Sequence, residues 1–175
     1  MLTHHSVEWP RSPARFVALG IVALAVTGVL LLGAASRAHA TTCNYYLEPL
    51  GPPSLTGNID VVGVPGGCFA TDQQATSAAA TSGSVLIGRD WAASHYEGDE
   101  LKWYADQECS SNISYSDAYI GDGWNDRVSS ADTNGHCNHF LHFQDRDFGL
   151  PGVTCTCYEM GPLNNETTSE KWKHS

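Results

Sequence analysis

Basic residues are scarce in this chain. Its 175 residues include nine Lys and Arg against nineteen Asp and Glu, a formal net charge of −10 with neutral His. An acidic surface of this kind repels the phosphates of nucleic acids and anionic lipids, whereas it attracts cations. We therefore expect neither a nucleic acid nor a membrane surface among the partners of the folded protein.

The motifs of common catalytic and nucleotide-binding sites are also missing. The sequence has no His-Glu-x-x-His, no Gly-x-Ser-x-Gly and no phosphate-binding glycine loop. The adjacent Asp99 and Glu100 are better explained as a solvated face than as an acid and base pair. His and Cys cluster at 136–142, but His139 and His142 would point to opposite faces of a strand, which disfavours a shared metal ion. We therefore expect a binding or structural protein rather than an enzyme.

Only one long apolar run is present, and it lies near the N-terminus. It extends from residue 16 to 33, follows Arg11 and Arg15, and is succeeded by Ala38-His39-Ala40. This arrangement is typical of a secretory signal peptide. A membrane anchor is the alternative, but the run is short for a membrane span and no second run follows. The pattern predicts a signal peptide at 1–40 and a secreted protein, whose net charge becomes −12 because three Arg and one Glu are removed.

Six cysteines lie beyond the predicted cleavage site. An even number in a small exported domain predicts disulfides, although the sequence does not choose among the alternative pairings. Cys155 and Cys157 are expected to be poor partners for each other, because alternate residues of a strand point to opposite faces. A zinc site is the alternative, but Cys155-Thr156-Cys157 lacks the two-residue spacer that structural zinc sites favour. The candidate disulfide cysteines are Cys43, Cys68, Cys109, Cys137, Cys155 and Cys157.

The 135 residues that remain (175 − 40) are enough for one domain with a core, and we expect a monomer.

Residues 41–83 contain several Gly and Pro turns and one short apolar alternation at 59–64, which predicts a loop-rich extension with about one strand. Thr71 or Asp72 could cap a short helix that stops at Gly83, with a flexible Ala/Thr/Ser linker as the alternative.

From Ser84 onward, short β-type runs recur at close spacing, and Gly, Asn, Asp and Pro separate them. No long helical periodicity is present in this region. Such a pattern is typical of an antiparallel sandwich or barrel, so the sequence predicts an all-β domain over 84–175. The runs lie at 85–87, 101–104, 128–133, 140–143 and 153–158.

One seven-residue pattern occurs twice in this region. Trp-Asn-Asp-Arg-Val-Ser-Ser at 124–130 and Leu-Asn-Asn-Glu-Thr-Thr-Ser at 163–169 both consist of an apolar residue, Asn, Asn/Asp, two variable residues, Ser/Thr and Ser. We call these segments the first and second clamp. Their starts are 39 residues apart (163 − 124), a length at which internal repeats indicate stacked supersecondary units.

An aromatic residue beside a glycine precedes each clamp and follows a predicted strand. Tyr96-Glu97-Gly98 precedes the first clamp, and Phe148-Gly149 precedes the second. Glycine accepts a positive φ and the ring covers the bend, which is what a tightly folded hairpin requires. The order of strand, aromatic-Gly hairpin, strand, clamp and strand therefore occurs twice.

These paired motifs resemble the βγ-crystallin family, whose Greek-key motifs carry an aromatic-x-Gly hairpin and a clamp of Asn/Asp, Asn/Asp, x, x, Ser/Thr, Ser. The resemblance covers about residues 84–172. The Cys-Phe and Ala-rich segment at 68–80 is similar to one that precedes a crystallin domain in a group of exported bacterial proteins. The resemblance implies a two-motif Greek-key β-sandwich that binds up to two calcium ions, with each clamp lending its hydroxyl to the other motif's site.

Calcium prefers six to eight oxygen ligands, and the clamps offer carboxylate, amide, hydroxyl and backbone oxygens. A backbone carbonyl near Glu97 or Asp147 should complete each site, and the Asp126 carboxylate predicts that the first site is the tighter one. The alternative is that both clamps are structural turns. The resemblance implies side-chain ligands from Asp126 and Asn165, backbone carbonyls from Arg127 and Glu166, and hydroxyls from Ser129 and Thr168, while Asn125 and Asn164 hold the turns.

Two departures from the family pattern affect these expectations. The glycine position of the second hairpin is Leu150, with Gly149 one residue early, so we expect that hairpin to bend differently. Tyr96 lies 29 residues before Asn125, whereas the matching distance in the second motif is 16. The first motif therefore carries an extra loop, around 108–119, which is a candidate contact surface.

The sequence leaves three functions open. The first is a secreted calcium-binding structural module whose partner is the ion itself, because ions that bind only the folded state stabilise it. The second is a metalloproteinase inhibitor on the same fold, with the extra loop as the contact surface for an extracellular proteinase. The third is an antimicrobial toxin that acts on a cell-surface component.

Overall fold

The computed structural model describes residues 40–150 and 152–175, so the signal peptide predicted at 1–40 lies outside the described part except for Ala40. No helix in the described part is long and apolar enough to cross a membrane. Strands dominate these residues, and the all-β prediction is confirmed. The elements of the described ranges are β1 (Thr42–Pro49), β2 (Asn58–Phe69), α1 (Asp72–Ala80), β3 (Val85–Ala93), β4 (Glu97–Ala105), β5 (Ser114–Asp117), β6 (Ser130–Thr133), β7 (His139–Phe143), β8 (Val153–Thr154) and β9 (Ser169–Lys173).

The strands form one sheet in the order β6-β3-β4-β1-β2-β5-β9-β7-β8. We call residues 84–133 the first motif and residues 139–173 the second motif. Strand β5 of the first motif pairs with β9 of the second motif, and the backbone of Cys157 in the second motif bridges Ala131 on β6 of the first. Each motif therefore gives one segment to the other, and the two cannot separate without breaking the sheet.

The N-terminal extension is more regular than the sequence predicts. Strands β1 and β2 form a hairpin that is inserted between two strands of the first motif, where β1 lies parallel to β4 and β2 lies parallel to β5. Glycines that look like strand breakers in the sequence admit neighbouring rings instead. A Cβ on Gly63 would lie 2.7 Å from the Trp103 ring, and Gly66 lies against the Tyr46 ring. Because these glycines have no side chain, the aromatic rings can pack directly against the strand backbone.

The helical alternative for the Ala-rich segment is correct, because α1 forms there. Its N-cap is Thr71, whose hydroxyl accepts a hydrogen bond from Gln74 N at 3.3 Å. The helix is tied to β4 by Lys102, which is 1% exposed. Its Nζ donates to Thr76 Oγ1 at 2.9 Å and pairs with the Asp72 carboxylate. A buried ammonium group requires such partners, since an unpaired buried charge is costly.

Strand β5 lies within the segment expected to be an extra loop at 108–119. Its sequence, Ser-Tyr-Ser-Asp, lacks an apolar alternation, but its neighbours β2 and β9 pair with it on both sides. Residues 115–117 are buried as a result. The proposed contact surface is therefore wrong for this part of the loop, and only its first residues, such as those at 110–112, are exposed.

The disulfide prediction is confirmed, but one expectation about pairing is wrong. Cys155 and Cys157 are bonded to each other. Side chains of Cys155 and Cys157 would point to opposite faces only in a regular strand through 153–158, whereas β8 ends at Thr154. The Cα atoms of Cys155 and Cys157 are 5.1 Å apart, less than the roughly 6.6 Å of alternate residues in an extended strand. The disulfides join Cys43 to Cys68, Cys109 to Cys137, and Cys155 to Cys157.

The centre of the core lies where the two motifs meet. The ring centroids of Trp103 on β4 and Trp172 on β9 are 5.2 Å apart, and Phe140 on β7 stacks on Trp172 at 5.1 Å. All three side chains are fully buried. Gly88 on β3 faces them, and a Cβ at this glycine would lie 2.7 Å from Trp172 Nε1. The absence of a side chain at residue 88 therefore allows the second motif to pack closely on the first.

We expect Gly88→Ala to lower the free energy of unfolding by about 1–3 kcal/mol, because the added methyl group overpacks a core whose indole ring cannot move away. Equilibrium urea unfolding measures this change. Gly51→Ala is the matched control, since a Cβ at Gly51 meets no atom within 4 Å. Equal stability of the two variants would contradict the close packing at residue 88.

Candidate functional site

The two clamps lie side by side and pair reciprocally through their backbones. Asp126 N donates to Thr167 O at 3.0 Å, and Asn165 N donates to Val128 O at 2.9 Å. Asp126 and Asn165 occupy the same position in their clamps, and their φ angles are 58° and 57°. Asp and Asn are the non-glycine residues that adopt this left-handed conformation most readily. The equivalence seen in the sequence is therefore also an equivalence of backbone geometry.

A hydroxyl of the first clamp lies against the second clamp. Ser129 Oγ is 3.0 Å from Asn165 Oδ1 and 3.3 Å from the Ala92 carbonyl oxygen. These atoms come from a clamp hydroxyl, a clamp amide and the end of β3, and all of them are oxygens. The structure therefore brings together Ser129 and Asn165, residues from different clamps that the family resemblance assigns to one ion site.

The Asp126 carboxylate is exposed and is not neutralised by the neighbouring Arg127. The guanidinium group of Arg127 donates to Gly123 O and to Asp99 Oδ2, each at 2.9 Å. Asp126 Oδ2 accepts a hydrogen bond from Asn125 Nδ2 at 2.7 Å. The other polar atom of that amide, Asn125 Oδ1, is buried and has no hydrogen-bond partner among the described residues. A carboxylate and an unsatisfied amide oxygen therefore adjoin each other in the first clamp.

The remaining predicted site residues lie in the second clamp. Asn164 and Glu166 are exposed, and the Glu166 carboxylate accepts a hydrogen bond from Gln144 Nε2 at 3.1 Å. Thr168 is buried, and its backbone nitrogen donates to Phe143 O at 2.8 Å. In the first clamp, Ser129 N makes the matching hydrogen bond to Trp91 O, also at 2.8 Å. Both clamps are thus held at the same depth beside a strand end.

The last serine of each clamp fixes the hairpin of its own motif. Ser130 Oγ donates to Ala93 O at 2.7 Å and accepts from Tyr96 N at 3.1 Å. In the second motif, Ser169 Oγ makes the corresponding bonds to Asp145 O at 2.6 Å and from Phe148 N at 3.2 Å. The two hairpins and the two clamps are therefore parts of the same repeated unit.

The expectation that the second hairpin bends differently is wrong. Leu150 stands where the first hairpin has Gly98, and their φ angles are 62° and 81°. The surrounding bonds from Ser169 impose the same bend on a leucine. A left-handed conformation costs a non-glycine residue about 1–2 kcal/mol, and the Leu150 side chain is 59% exposed. Packing therefore offsets little of this strain.

A second constellation lies inside the core. Asp90 on β3, His142 on β7 and Glu170 on β9 are all fully buried. His142 Nε2 is 3.0 Å from Asp90 Oδ1 and 3.6 Å from Glu170 Oε1. Trp103 Nε1 donates to Asp90 Oδ2 at 2.6 Å. Because none of the three side chains is exposed, the arrangement has no open position for a substrate.

The interior carboxyl groups have strongly perturbed protonation. Burial raises the pKa of Glu170 well above its usual range, and the nearby Asp90 and Asp117 carboxylates act in the same direction. Burial also raises the pKa of Asp117 to about 6, against the hydrogen bonds from Tyr119 N and Gly63 N to its carboxylate. The core therefore concentrates negative charge that is costly to keep ionised.

This constellation could not be predicted from the sequence, because its members come from three separate strands. The prediction that His139 and His142 point to opposite faces agrees with the structure, where His139 is exposed and His142 is buried. The available signal was an ionisable residue within a β-type run, as in His142 of the run at 140–143, for which a buried polar partner is required. That signal identifies a residue but not its partners.

No protein-family model, no curated protein and no solved structure matches the chain. The function has to be inferred from the contacts of the clamps and of the buried residues.

The raised pKa of Asp117 makes stability depend on pH. Between about pH 4 and pH 6 the folded state holds a proton that the unfolded chain lacks, so the free energy of unfolding falls as the pH rises through this window. We expect Asp117→Asn to remove about 1–3 kcal/mol of this decrease. Urea unfolding from pH 4 to 7.5 measures it. The pKa of Glu170 is also raised, so the stability of both proteins should fall as the pH rises. The effect of Asp117 is therefore the difference between the pH profiles of the wild-type protein and Asp117→Asn. Parallel profiles would contradict a raised pKa at Asp117.

Leu150→Gly should raise the free energy of unfolding by about 0.5–1 kcal/mol. The left-handed strain that it removes from the folded state is larger than the cost of ordering a more flexible glycine on folding. Gly98→Ala should lower the free energy of unfolding by about 1–2 kcal/mol, because alanine takes up the same strain in the first hairpin. Thermal and urea unfolding compare the two. A loss of stability in Leu150→Gly would show that the leucine side chain contributes packing at this hairpin.

Proposed function

We propose that the first and second motifs are βγ-crystallin-type Greek keys and that the protein is a secreted calcium-binding module. Its ions stabilise the fold, and its role is binding or structural rather than enzymatic. The observation that carries the proposal is the crossing of the clamps, in which Ser129 Oγ of the first clamp lies 3.0 Å from Asn165 Oδ1 of the second. Shared sites of this kind are what the family resemblance implies.

The strand order supports the fold part of the proposal. Strand β5 pairs with β9, and Cys157 bridges Ala131, so each motif completes its sheet with a segment from the other. The hairpins agree as well, since both have consecutive positive φ angles at an aromatic residue and the residue before it. An exchange of strands between two equivalent Greek keys accounts for both observations.

The oxygens at the second site are of chemical types that bind calcium. Asn165 Oδ1, Ser129 Oγ and the Ala92 carbonyl lie together, and the Glu166 carbonyl follows directly in the clamp. Calcium binds six to eight oxygens and accepts neutral amide, hydroxyl and carbonyl ligands with water in the rest of its shell. Without a clamp carboxylate in this set, the second site is the weaker one.

The first site has a stronger electrostatic attraction for calcium. Asp126 contributes a carboxylate that Arg127 leaves free, because the guanidinium group is engaged by Asp99 and Gly123. Asn125 Oδ1 beside it lacks a donor among the described residues, so a cation would satisfy it. Extracellular calcium modules bind with dissociation constants of about 10⁻⁴–10⁻³ M. This range matches sites with a single carboxylate or none.

Secretion is supported by the cysteine chemistry. Three disulfides join all six cysteines, and disulfides persist in oxidising compartments rather than in the cytosol. Calcium is available at such locations to act on stability. An ion that binds only the folded state at about 100 times its dissociation constant adds about 2.7 kcal/mol to the free energy of unfolding.

The test is calorimetric titration of calcium into chelator-treated protein, with thermal unfolding in parallel. We expect two binding events and a rise in melting temperature. Asp126→Asn should weaken the tighter event by about tenfold, and Asn165→Asp should strengthen the weaker one by a similar factor, because each change alters charge while keeping a residue that accepts the left-handed backbone. Asp122→Asn is the matched control, since this exposed acid lies in the same loop outside the clamp.

Absence of heat, together with an unchanged melting temperature at millimolar calcium, would contradict the proposal and make the clamps structural turns. Inhibition of a thermolysin-type proteinase would then be the next function to measure. Equal effects of Asp122→Asn and Asp126→Asn would show that calcium binds to diffuse surface charge.

A further inference from the structure

We propose that Asp90, His142 and Glu170 form a second kind of metal site, which holds one structural transition-metal ion inside the core, with zinc as the best match. This site goes beyond the calcium clamps and does not depend on them. Its residues come from β3 of the first motif and from β7 and β9 of the second. The bound ion would therefore join the two motifs at their contact.

The ligand types distinguish this site from the clamps. Imidazole nitrogen and carboxylate oxygen are both zinc ligands, whereas calcium prefers oxygens alone. His142 Nε2 faces both carboxylates, so its nitrogen can act as a ligand in the neutral form. The cluster thus selects for a softer divalent ion than the clamps do.

The spacing of the ligand atoms fits a small ion. His142 Nε2 is 3.0 Å from Asp90 Oδ1 and 3.6 Å from Glu170 Oε1, and one ligand atom from each residue lies within 4.8 Å of the others. Ligands about 2.1 Å from a tetrahedral zinc ion are about 3.4 Å apart. Small side-chain adjustments would bring the three atoms to these distances.

Unsatisfied atoms provide independent support. Both carboxylate oxygens of Glu170 are buried and have no hydrogen-bond partner among the described residues. Two buried carboxylates beside one imidazole leave negative charge in the core, and a divalent cation neutralises it. Trp103 Nε1 donates to the second oxygen of Asp90 at 2.6 Å. Such an outer hydrogen bond is how proteins orient a ligating carboxylate.

Complete burial determines how the ion acts and how it enters. Asp90, His142 and Glu170 are each 0% exposed, so the metal has no position open to a substrate and acts as a structural ion. The ion cannot reach the folded core, and it binds while the chain folds. Addition of zinc to the already folded protein would therefore test only its surface.

The experiment accordingly loads the metal during refolding. The purified chain, with its disulfides intact, is unfolded in denaturant with a chelator, refolded with or without zinc chloride, and separated from free metal by gel filtration. Mass spectrometry of the metal then gives the zinc content. We expect about one zinc ion per chain after refolding with zinc, and about tenfold less in Glu170→Gln and His142→Gln.

Matched controls separate this site from exposed ligands. Glu48→Gln and His139→Gln change exposed residues of the same types, His139 on the same strand as His142, and they should retain zinc. If a variant fails to refold, the zinc content of the refolded wild-type protein alone tests the proposal. Refolding with cobalt should give the visible absorption of a tetrahedral ion that keeps its intensity after gel filtration with chelator.

Two outcomes would overturn the proposal. Wild-type protein without retained zinc or cobalt would mean that the cluster is neutralised without a metal, by a proton on Glu170. Equal zinc in wild-type protein and Glu170→Gln would place the metal on surface histidines. Calcium titration of the same samples distinguishes the two proposals, because the clamps should bind calcium whether or not the core holds zinc.

Discussion

The reciprocal backbone pairing of the two clamps is the constraint on which the other features depend. The bonds of Asp126 to the second clamp and of Asn165 to the first place the clamps at fixed register. Ser130 and Ser169, one at the end of each clamp, then set the bends of the hairpins. Those bends direct β4 and β8 back along β3 and β7. Local turn geometry and the global exchange of strands are thus specified by the same residues.

The core combines close aromatic packing with buried charge. Trp103 contributes to both, because its ring packs on Trp172 while its Nε1 holds the Asp90 carboxylate. A buried carboxylate costs several kcal/mol unless it is compensated. The same contact between the motifs therefore combines close apolar packing with buried carboxylates, so its stability depends on how Glu170 is neutralised.

Sequence reasoning succeeded where the geometry is local. The clamps could be predicted because their seven-residue pattern repeats, and both copies place at the same position a residue type, Asp126 or Asn165, that tolerates a left-handed backbone. It failed where contacts are distant in sequence. Gly66 resembles a strand breaker until the Tyr46 ring that it accommodates is known. The proximity of Glu170 to Asp90 could not be predicted either, because no spacing along the chain encodes a contact between strands of different motifs.

The hairpin of β1 and β2 makes folding of the N-terminal part depend on strands that occur later in the chain. Its disulfide, Cys43 to Cys68, can close early, but both outer edges of the hairpin lie parallel to strands that occur later, β4 and β5. A chain that crosses a membrane from its N-terminus would expose these two edges until residue 117 has emerged. Unpaired edges favour aggregation, so the yield of native protein should depend on how soon β4 and β5 pair with the hairpin.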